Sequence, residues 1–156
     1  MKRPEVSNRL LIGIGNSGRE DDGLGWAFLE QVEQHAVAES DFLYRYQLNL
    51  EDAEQISHYE QVVFVDAFRG ELEGGYSFTR CTPYAGSGFS THMLLPESTL
   101  YLCQQLYKQV PQAWVLAIQG YQWELKEDIS PQAKVNLGKA LAWFRSWAGI
   151  PSKTAS

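Results

Sequence analysis

Short apolar runs alternate with longer amphipathic segments along this chain. Three of the runs are almost continuously apolar, as strands covered on both faces of a sheet are. They lie at residues 9–14, 61–67 and 114–118. Two further segments, at residues 41–48 and 76–81, have the alternation of half-buried strands. We expect the second of these, which follows a pair of glycines, to be an edge strand.

The segments between these strands repeat apolar residues at helical spacing. The predicted helices cover residues 23–36, 51–58, 96–110 and 131–148. For the third helix, the expected inner face consists of Leu100, Cys103, Leu106, Tyr107 and Val110. Ser130 and Pro131 are typical of an N-cap and a first helical position, so the last helix should begin there. Strands that alternate with helices predict an α/β fold, with a mainly parallel sheet covered by helices on both sides.

Polar residues that could bind a ligand or take part in catalysis follow two of the predicted strands. The first strand runs into the glycine turn at residues 13–18, GIGNSG, and then into three consecutive acids at residues 20–22. Asp66 closes the strand at residues 61–67. Ligands of parallel α/β sheets bind beyond the carboxyl ends of the strands. We therefore expect the turn and Asp66 to lie at the same edge of the sheet.

Composition and charge narrow the class of protein. With 44% apolar residues, the chain fits one domain over residues 1–156, with loose ends at 1–8 and 152–156. A net charge of -6 argues against a nucleic-acid partner, because phosphate binding needs a basic face. No apolar run is long enough to predict a membrane span. Cys81 and Cys103 form no CxxC pair and are expected to be reduced core thiols of a cytoplasmic protein. The basic start, MKRPEVSN, leads into a strand-like run that turns at glycine, so we expect no signal peptide.

The glycine turn matches the dinucleotide fingerprint GxGxxG. A pyrophosphate at this position would need free backbone N–H groups at the helix start. The acids at residues 20–22 crowd that place, and a charge about 4 Å from a phosphate costs roughly 4 kcal/mol at an effective dielectric near 20. The acid expected after the second strand is also missing, since Gln47 and Leu48 stand there. Nucleotide binding is therefore the disfavoured alternative.

The same turn has the composition of a cation site. A carboxylate from the first helical turn, Asp66 and the imidazole of His92 would form an O,O,N set of ligands. Three protein ligands with one open position is the arrangement that metal-assisted hydrolysis uses. Two simpler roles stay open. Asp21 and Asp22 could only cap the helix, at about 0.3–1 kcal/mol each, and His92 could only hydrogen-bond within its loop.

Three motifs together resemble the nickel-iron hydrogenase maturation endopeptidases. The first is the glycine turn followed by Asp21-Asp22-Gly23-Leu24-Gly25, and the second is the apolar strand Val63-Phe64-Val65-Asp66-Ala67. The third is the loop Ser90-Thr91-His92. The motifs appear in the order and at intervals similar to those of the family, and the resemblance covers most of the chain.

The resemblance implies that Asp22, Asp66 and His92 are the metal-binding and catalytic residues. It also implies a three-layer α/β/α sandwich around a twisted five-stranded sheet. The implied activity is that of an endopeptidase which removes the C-terminal peptide of a hydrogenase large-subunit precursor after nickel insertion. The chain departs from the family over residues 47–52, where many members have an Asp-Gly-Gly-type turn. The resemblance therefore does not specify which precursor is recognised.

Our hypothesis is that nickel arrives with the precursor and is contacted by the three predicted ligands. The metal would then polarise the scissile carbonyl or lower the pKa of a bound water, or it would only dock the substrate while the aspartates activate water. The isolated site would be empty or would hold another divalent cation. A further alternative is a maturation chaperone that grips the nickel site without cutting. Without a metal, the two aspartates should repel each other, so the pKa of at least one should rise.

Neighbouring residues have two possible roles each. Gly15 and Asn16 position substrate carbonyls or only shape the turn. Asp21 braces a ligand from behind or caps the helix. Trp123 and Glu124 border the predicted cleft or belong to ordinary surface.

Overall fold

The computed structural model describes residues 8–35, 40–86 and 94–149, and the predicted loose ends fall almost entirely outside them. This part of the chain contains five strands and four α-helices. In chain order they are β1 (Arg9–Ile14), α1 (Leu24–Gln34), β2 (Asp41–Arg45), α2 (Leu50–Ile56), β3 (Gln61–Arg69), β4 (Tyr76–Cys81), α3 (Pro96–Tyr107), β5 (Gln112–Gly120) and α4 (Pro131–Trp147). Short 3₁₀ turns at Glu20–Gly23 and Glu73–Gly75 precede α1 and β4. None of the helices in the described ranges is both long and apolar enough to cross a membrane.

The strands form one sheet in the order β2-β1-β3-β5-β4. Four of them are parallel, and β4 pairs antiparallel with β5 at the edge. The predicted five-stranded, mainly parallel sheet is therefore confirmed, as is the edge position of β4. Ile14 at the end of β1 lies opposite Asp66 of β3. We call the edge at which the four parallel strands end the carboxyl edge; the glycine turn and Asp66 both lie there, as predicted.

Helices cover both faces of the sheet. One core lies between the sheet and the helices α1 and α4, where Phe28 and Phe144 pack edge to face with ring centroids 5.4 Å apart. The other lies between the sheet and the helices α2 and α3, and contains Ile56, Leu100 and Cys103. Successive residues of the central strands point into alternate cores, which is why their sequences are apolar without interruption. The three-layer α/β/α sandwich is confirmed.

The structure confirms only part of the predicted inner face of α3. Leu100 and Cys103 are fully buried, but Leu106, Tyr107 and Val110 are exposed. The helix ends at Tyr107, since Lys108 adopts a left-handed conformation with φ of 57°. All buried residues of α3 lie between Ser98 and Cys103, so its last turn lies outside the core.

Two further boundaries differ from the prediction. β2 ends at Arg45 and not at residue 48. α2 begins at Leu50 because Asn49 caps it with a capping box: the N–H of Asn49 donates to the Asp52 carboxylate at 2.9 Å, and its side chain accepts from the N–H of Glu51. The start of α4 is as predicted, with the Ser130 hydroxyl accepting from the N–H of Ala133 at 3.3 Å.

Candidate functional site

The glycine turn brings the start of α1 close to the sheet. Gly15 has a φ of +138°, which disfavours any other residue, and a β-carbon there would overlap the carbonyl oxygen of Asp22. A β-carbon at Gly25 would overlap the carbonyl oxygen of Val65 in β3. The glycines are thus required for close packing of the turn and of α1 on the sheet, and this packing fixes the position of Asp22.

Asp22 is held in place by the turn itself. Its Oδ2 accepts a hydrogen bond from the N–H of Asn16 at 2.9 Å. The side chain of Asn16 in turn accepts from the N–H of Gly18 at 2.8 Å, so Asn16 shapes the turn. These two N–H groups are satisfied within the chain, and one of them already binds a carboxylate. A nucleotide pyrophosphate at the same place would have to displace these bonds, which further disfavours the dinucleotide alternative.

Asp66 is a partly buried carboxyl group on the neighbouring strand. Its Oδ1 accepts from the N–H of Ala67 at 2.8 Å. Burial raises the pKa of Asp66 to about 7, the Ala67 N–H opposes this shift, and the negative charge of Asp22 adds to it. The predicted rise is therefore confirmed, although loss of hydration is a larger cause than repulsion. The structure brings Asp22 near enough to Asp66 for its charge to raise the pKa of Asp66.

His92, the third predicted ligand, lies outside the described residues, so its role stays a prediction. Leu94, two positions later, pairs with Leu48 in an antiparallel bridge close to the end of β2. Within residues 8–35, 40–86 and 94–149, no three His, Cys, Asp or Glu side chains form a group that could hold a metal ion. The structure brings Asp22 and Asp66 together. A complete metal site would need at least one further ligand in addition to these two carboxylates.

Asp21 has a role that neither interpretation anticipated. It is fully buried, and its carboxylate accepts hydrogen bonds from the N–H groups of Tyr121, Gln122 and Ser130 at 2.7, 3.0 and 2.7 Å. It also accepts from the Ser130 hydroxyl at 2.7 Å. It does not cap the 3₁₀ turn in which it lies. Asp21 therefore ties the beginning of α1 to the segment between β5 and α4.

Glu20 repeats this connection and was missed by the sequence interpretation. Its Oε1 accepts from the N–H of Glu124 at 2.8 Å, and its own N–H donates to the carbonyl of Lys126 at 2.7 Å. The backbone of Glu20 has a positive φ of 47°, which is unusual for a residue other than glycine. The only signal in the sequence was the presence of three acids where one would suffice to cap a helix.

Trp123 packs on the end of β3. The guanidinium of Arg69 lies 4.2 Å from the centroid of the Trp123 ring, in cation–π geometry. The segment from residue 121 to residue 130 is thereby held both by the acids of the turn and by the strand that carries Asp66. Trp123 and Glu124 belong to a fixed wall of the carboxyl edge rather than to unattached surface.

No protein-family model matches the chain, and a comparison with curated proteins gives no significant match. Similarity to solved structures is extensive. The hydrogenase maturating endopeptidase HybD from E. coli superposes with a TM-score of 0.74 over 90% of this chain and 91% of that chain, at 17% sequence identity.

Two archaeal structures give the same result. A [NiFe] hydrogenase maturation protease, HycI from Thermococcus kodakarensis, superposes with a TM-score of 0.68 and 21% identity, over 88% of this chain and 90% of that one. The hydrogenase 2 maturation peptidase from Thaumarchaeota archaeon SCGC_AB-539-E09 has a TM-score of 0.68 and 15% identity, over 92% and 99% of the two chains. The fold is that of the hydrogenase maturation endopeptidases.

The similarity to these three structures covers 88–92% of this chain. Identities of this size establish the architecture and not the role of any side chain. Within this fold, the assignment of Asp22 and Asp66 depends on their convergence at the carboxyl edge, on the hydrogen bond that orients Asp22 and on the raised pKa of Asp66.

Proposed function

We propose that this protein is a hydrogenase maturation endopeptidase, which removes the C-terminal peptide of a nickel-iron hydrogenase large-subunit precursor in the cytoplasm. The observation that carries the proposal is the pair of aspartates at the carboxyl edge of a chain with the endopeptidase fold. Two of the three sequence motifs support it, because the glycine turn and Asp66 both fall at this edge; the third, which contains His92, lies outside the described residues.

The chemistry of the donors fits a divalent cation brought by the precursor. Carboxylate oxygens and an imidazole nitrogen are common ligands of borderline divalent metals, and they can leave coordination positions open to substrate. We assign Asp22, Asp66 and His92 to this contact. A nickel ion seated in the precursor would be the part of the substrate that these three residues recognise, so that only a loaded precursor is positioned for cleavage.

Asp22 and Asp66 have different tasks in this mechanism. Asp22 is oriented by the N–H of Asn16, so one of its oxygens is fixed and the other can face the substrate. Asp66 has a pKa of about 7, so near neutrality it can exchange a proton with a water molecule or with the leaving amine. A nearby cation would favour its ionised form and convert it into a ligand or a base. The bound cation supplies polarisation of the scissile carbonyl or of the attacking water.

Asn16 is also placed in the substrate path by this proposal. Its backbone N–H and side-chain oxygen are used by the turn. Its side-chain amide NH₂ is then the group that can donate to a substrate carbonyl. Asp21 supports the same region indirectly, because its bonds hold the wall at residues 121–130 against the turn.

Mass spectrometry of a nickel-loaded precursor, incubated with and without this protein, tests the proposed function. Loss of the C-terminal peptide is expected only when the protein is present, and a precursor without nickel should stay intact. His92→Ala should prevent cleavage while leaving the circular dichroism spectrum unchanged. A precursor that forms a stable complex but keeps its full mass would contradict the protease and favour the chaperone.

A further inference from the structure

An aromatic pair on the outer side of the glycine turn has no part in the mechanism above. The rings of Trp26 and Tyr46 stack with an interplanar angle of 1° and centroids 5.3 Å apart. Tyr44 meets Trp26 edge-on at 5.5 Å. Tyr46 is 68% exposed, so the ring face that does not contact Trp26 is open to solvent. We call Trp26 and Tyr46 the aromatic platform.

The platform is held rigidly beside the turn. The indole N–H of Trp26 donates to the carbonyl of Arg45 at 3.0 Å, and the same carbonyl accepts from the N–H of Gly15 at 2.9 Å. The Nε of Arg45 is bound to the fully buried carboxylate of Asp52 at 2.9 Å. The backbone on either side of Tyr46 is therefore fixed by β2 and by the capping box of α2. A preformed surface of this kind loses little conformational entropy on binding.

Two open cavities meet at Trp26. The first has a volume of about 680 Å³ and lies over the platform, between Tyr44 and Asn49. The second has a volume of about 360 Å³ and lies between α1 and the segment that precedes α4. Its charged lining residues are Glu20, Glu30, Glu127, Asp128 and Lys134. Four carboxylates against one ammonium give this cavity a negative potential.

A carboxylate also borders the first cavity, because the hydroxyl of Tyr44, one of its lining residues, donates to Oε1 of Glu33 at 2.7 Å. Burial and a hydrogen bond to Glu33 raise the pKa of Tyr44, and the charges of Glu33 and Glu30 raise it further. The positive charge of Arg45 at the same place is offset by Asp52. The platform therefore combines open aromatic ring faces with a surrounding excess of negative charge. Ammonium and guanidinium groups bind such surfaces through cation–π and ionic attraction together.

We propose that the aromatic platform binds a lysine- or arginine-rich segment of a protein partner, and that this partner is the precursor whose processing is proposed above. The inference rests on that proposed function for the identity of the partner. The chemistry of the segment is argued from the surface alone. Because the carbonyl of Arg45 accepts from both Trp26 and Gly15, a segment bound here would lie next to the glycine turn that orients Asp22.

Binding of two labelled ten-residue peptides, followed by fluorescence anisotropy, tests the surface without requiring cleavage. One peptide carries four lysines and arginines between glycines and serines, and the other has glutamate at those four positions. The basic peptide should bind, more weakly as salt is added, and the acidic one should not. Tyr46→Ala should weaken binding about 3- to 10-fold, and the double change Glu30→Gln with Glu127→Gln should weaken it about 3-fold or more.

Tyr107→Ala and Glu60→Gln are the matched controls, because these side chains are exposed near the opposite edge of the sheet. They should leave the affinity within about 2-fold of wild type. Equal weakening by the controls, equal binding of an uncharged apolar peptide, or no binding of the basic peptide would overturn the inference. If the peptide fails to bind a protein that still cleaves precursor, this inference alone is wrong. If binding depends on Tyr46 in a protein that never cleaves, the surface stands and the proposed function is wrong.

Discussion

Two adjacent aspartates, Asp21 and Asp22, occupy opposite kinds of environment. Asp21 is fully buried and accepts four hydrogen bonds from Tyr121, Gln122 and Ser130. Asp22 accepts one from Asn16 and adds its repulsion to a second partly buried acid, Asp66. A buried carboxylate with all its acceptor sites filled is a structural element. Two neighbouring carboxylates that accept few hydrogen bonds, and that repel each other, can instead bind a cation or a proton.

The largest effect that separates the two environments is expected from Asp21→Ala. This change removes the acceptor from three backbone N–H groups and one hydroxyl, and the two donors of Ser130 are buried. The free energy of unfolding should fall by about 3–5 kcal/mol, which urea denaturation measures. A loss below about 1 kcal/mol would mean that water replaces the carboxylate easily, and Asp21 would then not be the connection between the turn and α4.

Asp66→Asn should raise the free energy of unfolding at pH 8, whereas Asp21→Ala should lower it. The pKa of Asp66 is about 7 in the folded protein and about 3.8 when the carboxyl group is exposed to solvent, as in the unfolded chain. The folded state therefore binds more protons than the unfolded state between these values, and wild-type stability falls as the pH rises from about 4 to about 7. The amide has no charge to desolvate, so it should be more stable than wild type by about 1–3 kcal/mol at pH 8.

The gain from Asp66→Asn should shrink toward zero near pH 4, which thermal unfolding at a series of pH values will show. Glu60→Gln, another change from acid to amide on an exposed side chain, is the control and should not alter the pH profile. A variant that is less stable than wild type at pH 8 would contradict the raised pKa.

A smaller effect, on the pKa of Asp66, is expected when Asp22 is neutralised. Asp22→Asn removes the repulsion that contributes to the shift, so the pKa of Asp66 should move downward from about 7 while staying above its ordinary value. Titration of the carboxyl carbon by NMR measures this directly. An unchanged pKa would show that the two acids are too far apart to share a cation.

The smallest effect concerns the wall that joins the two environments. Arg69→Ala removes the guanidinium from the Trp123 ring and should cost about 0.5–1 kcal/mol of stability. Lys139→Ala, at an exposed lysine of α4, should change stability by less. Equal losses in both variants would indicate that the Arg69–Trp123 contact does not hold the wall.

The sequence predicted what depends on local pattern. Continuous apolar runs indicated strands buried on both faces, and the position of Asp66 at the end of such a run placed it at the carboxyl edge. Ser130 and Pro131 marked the start of α4 because capping is a property of neighbouring residues. Asp22 could be assigned to the same edge as Asp66 because it follows the end of another predicted strand, at residues 9–14.

Contacts between distant residues could not be predicted in this way. The donors to Asp21 come from about 100 positions later in the chain, so no local spacing distinguishes it from Asp22. The Trp26–Tyr46 stack depends on where β2 ends, and the alternation of residues had extended that strand three residues too far. The last turn of α3 was assigned to the core because periodicity reports a face but not how far the neighbouring elements reach.

The most direct test of the central claim is the mass of a nickel-loaded precursor after incubation with wild type, Asp66→Asn and Glu60→Gln. If the carboxyl edge is the peptidase site, wild type and Glu60→Gln should both release the C-terminal peptide. Asp66→Asn, although folded and more stable at pH 8, should release none. Cleavage by Asp66→Asn at the wild-type rate would contradict the assignment of this edge.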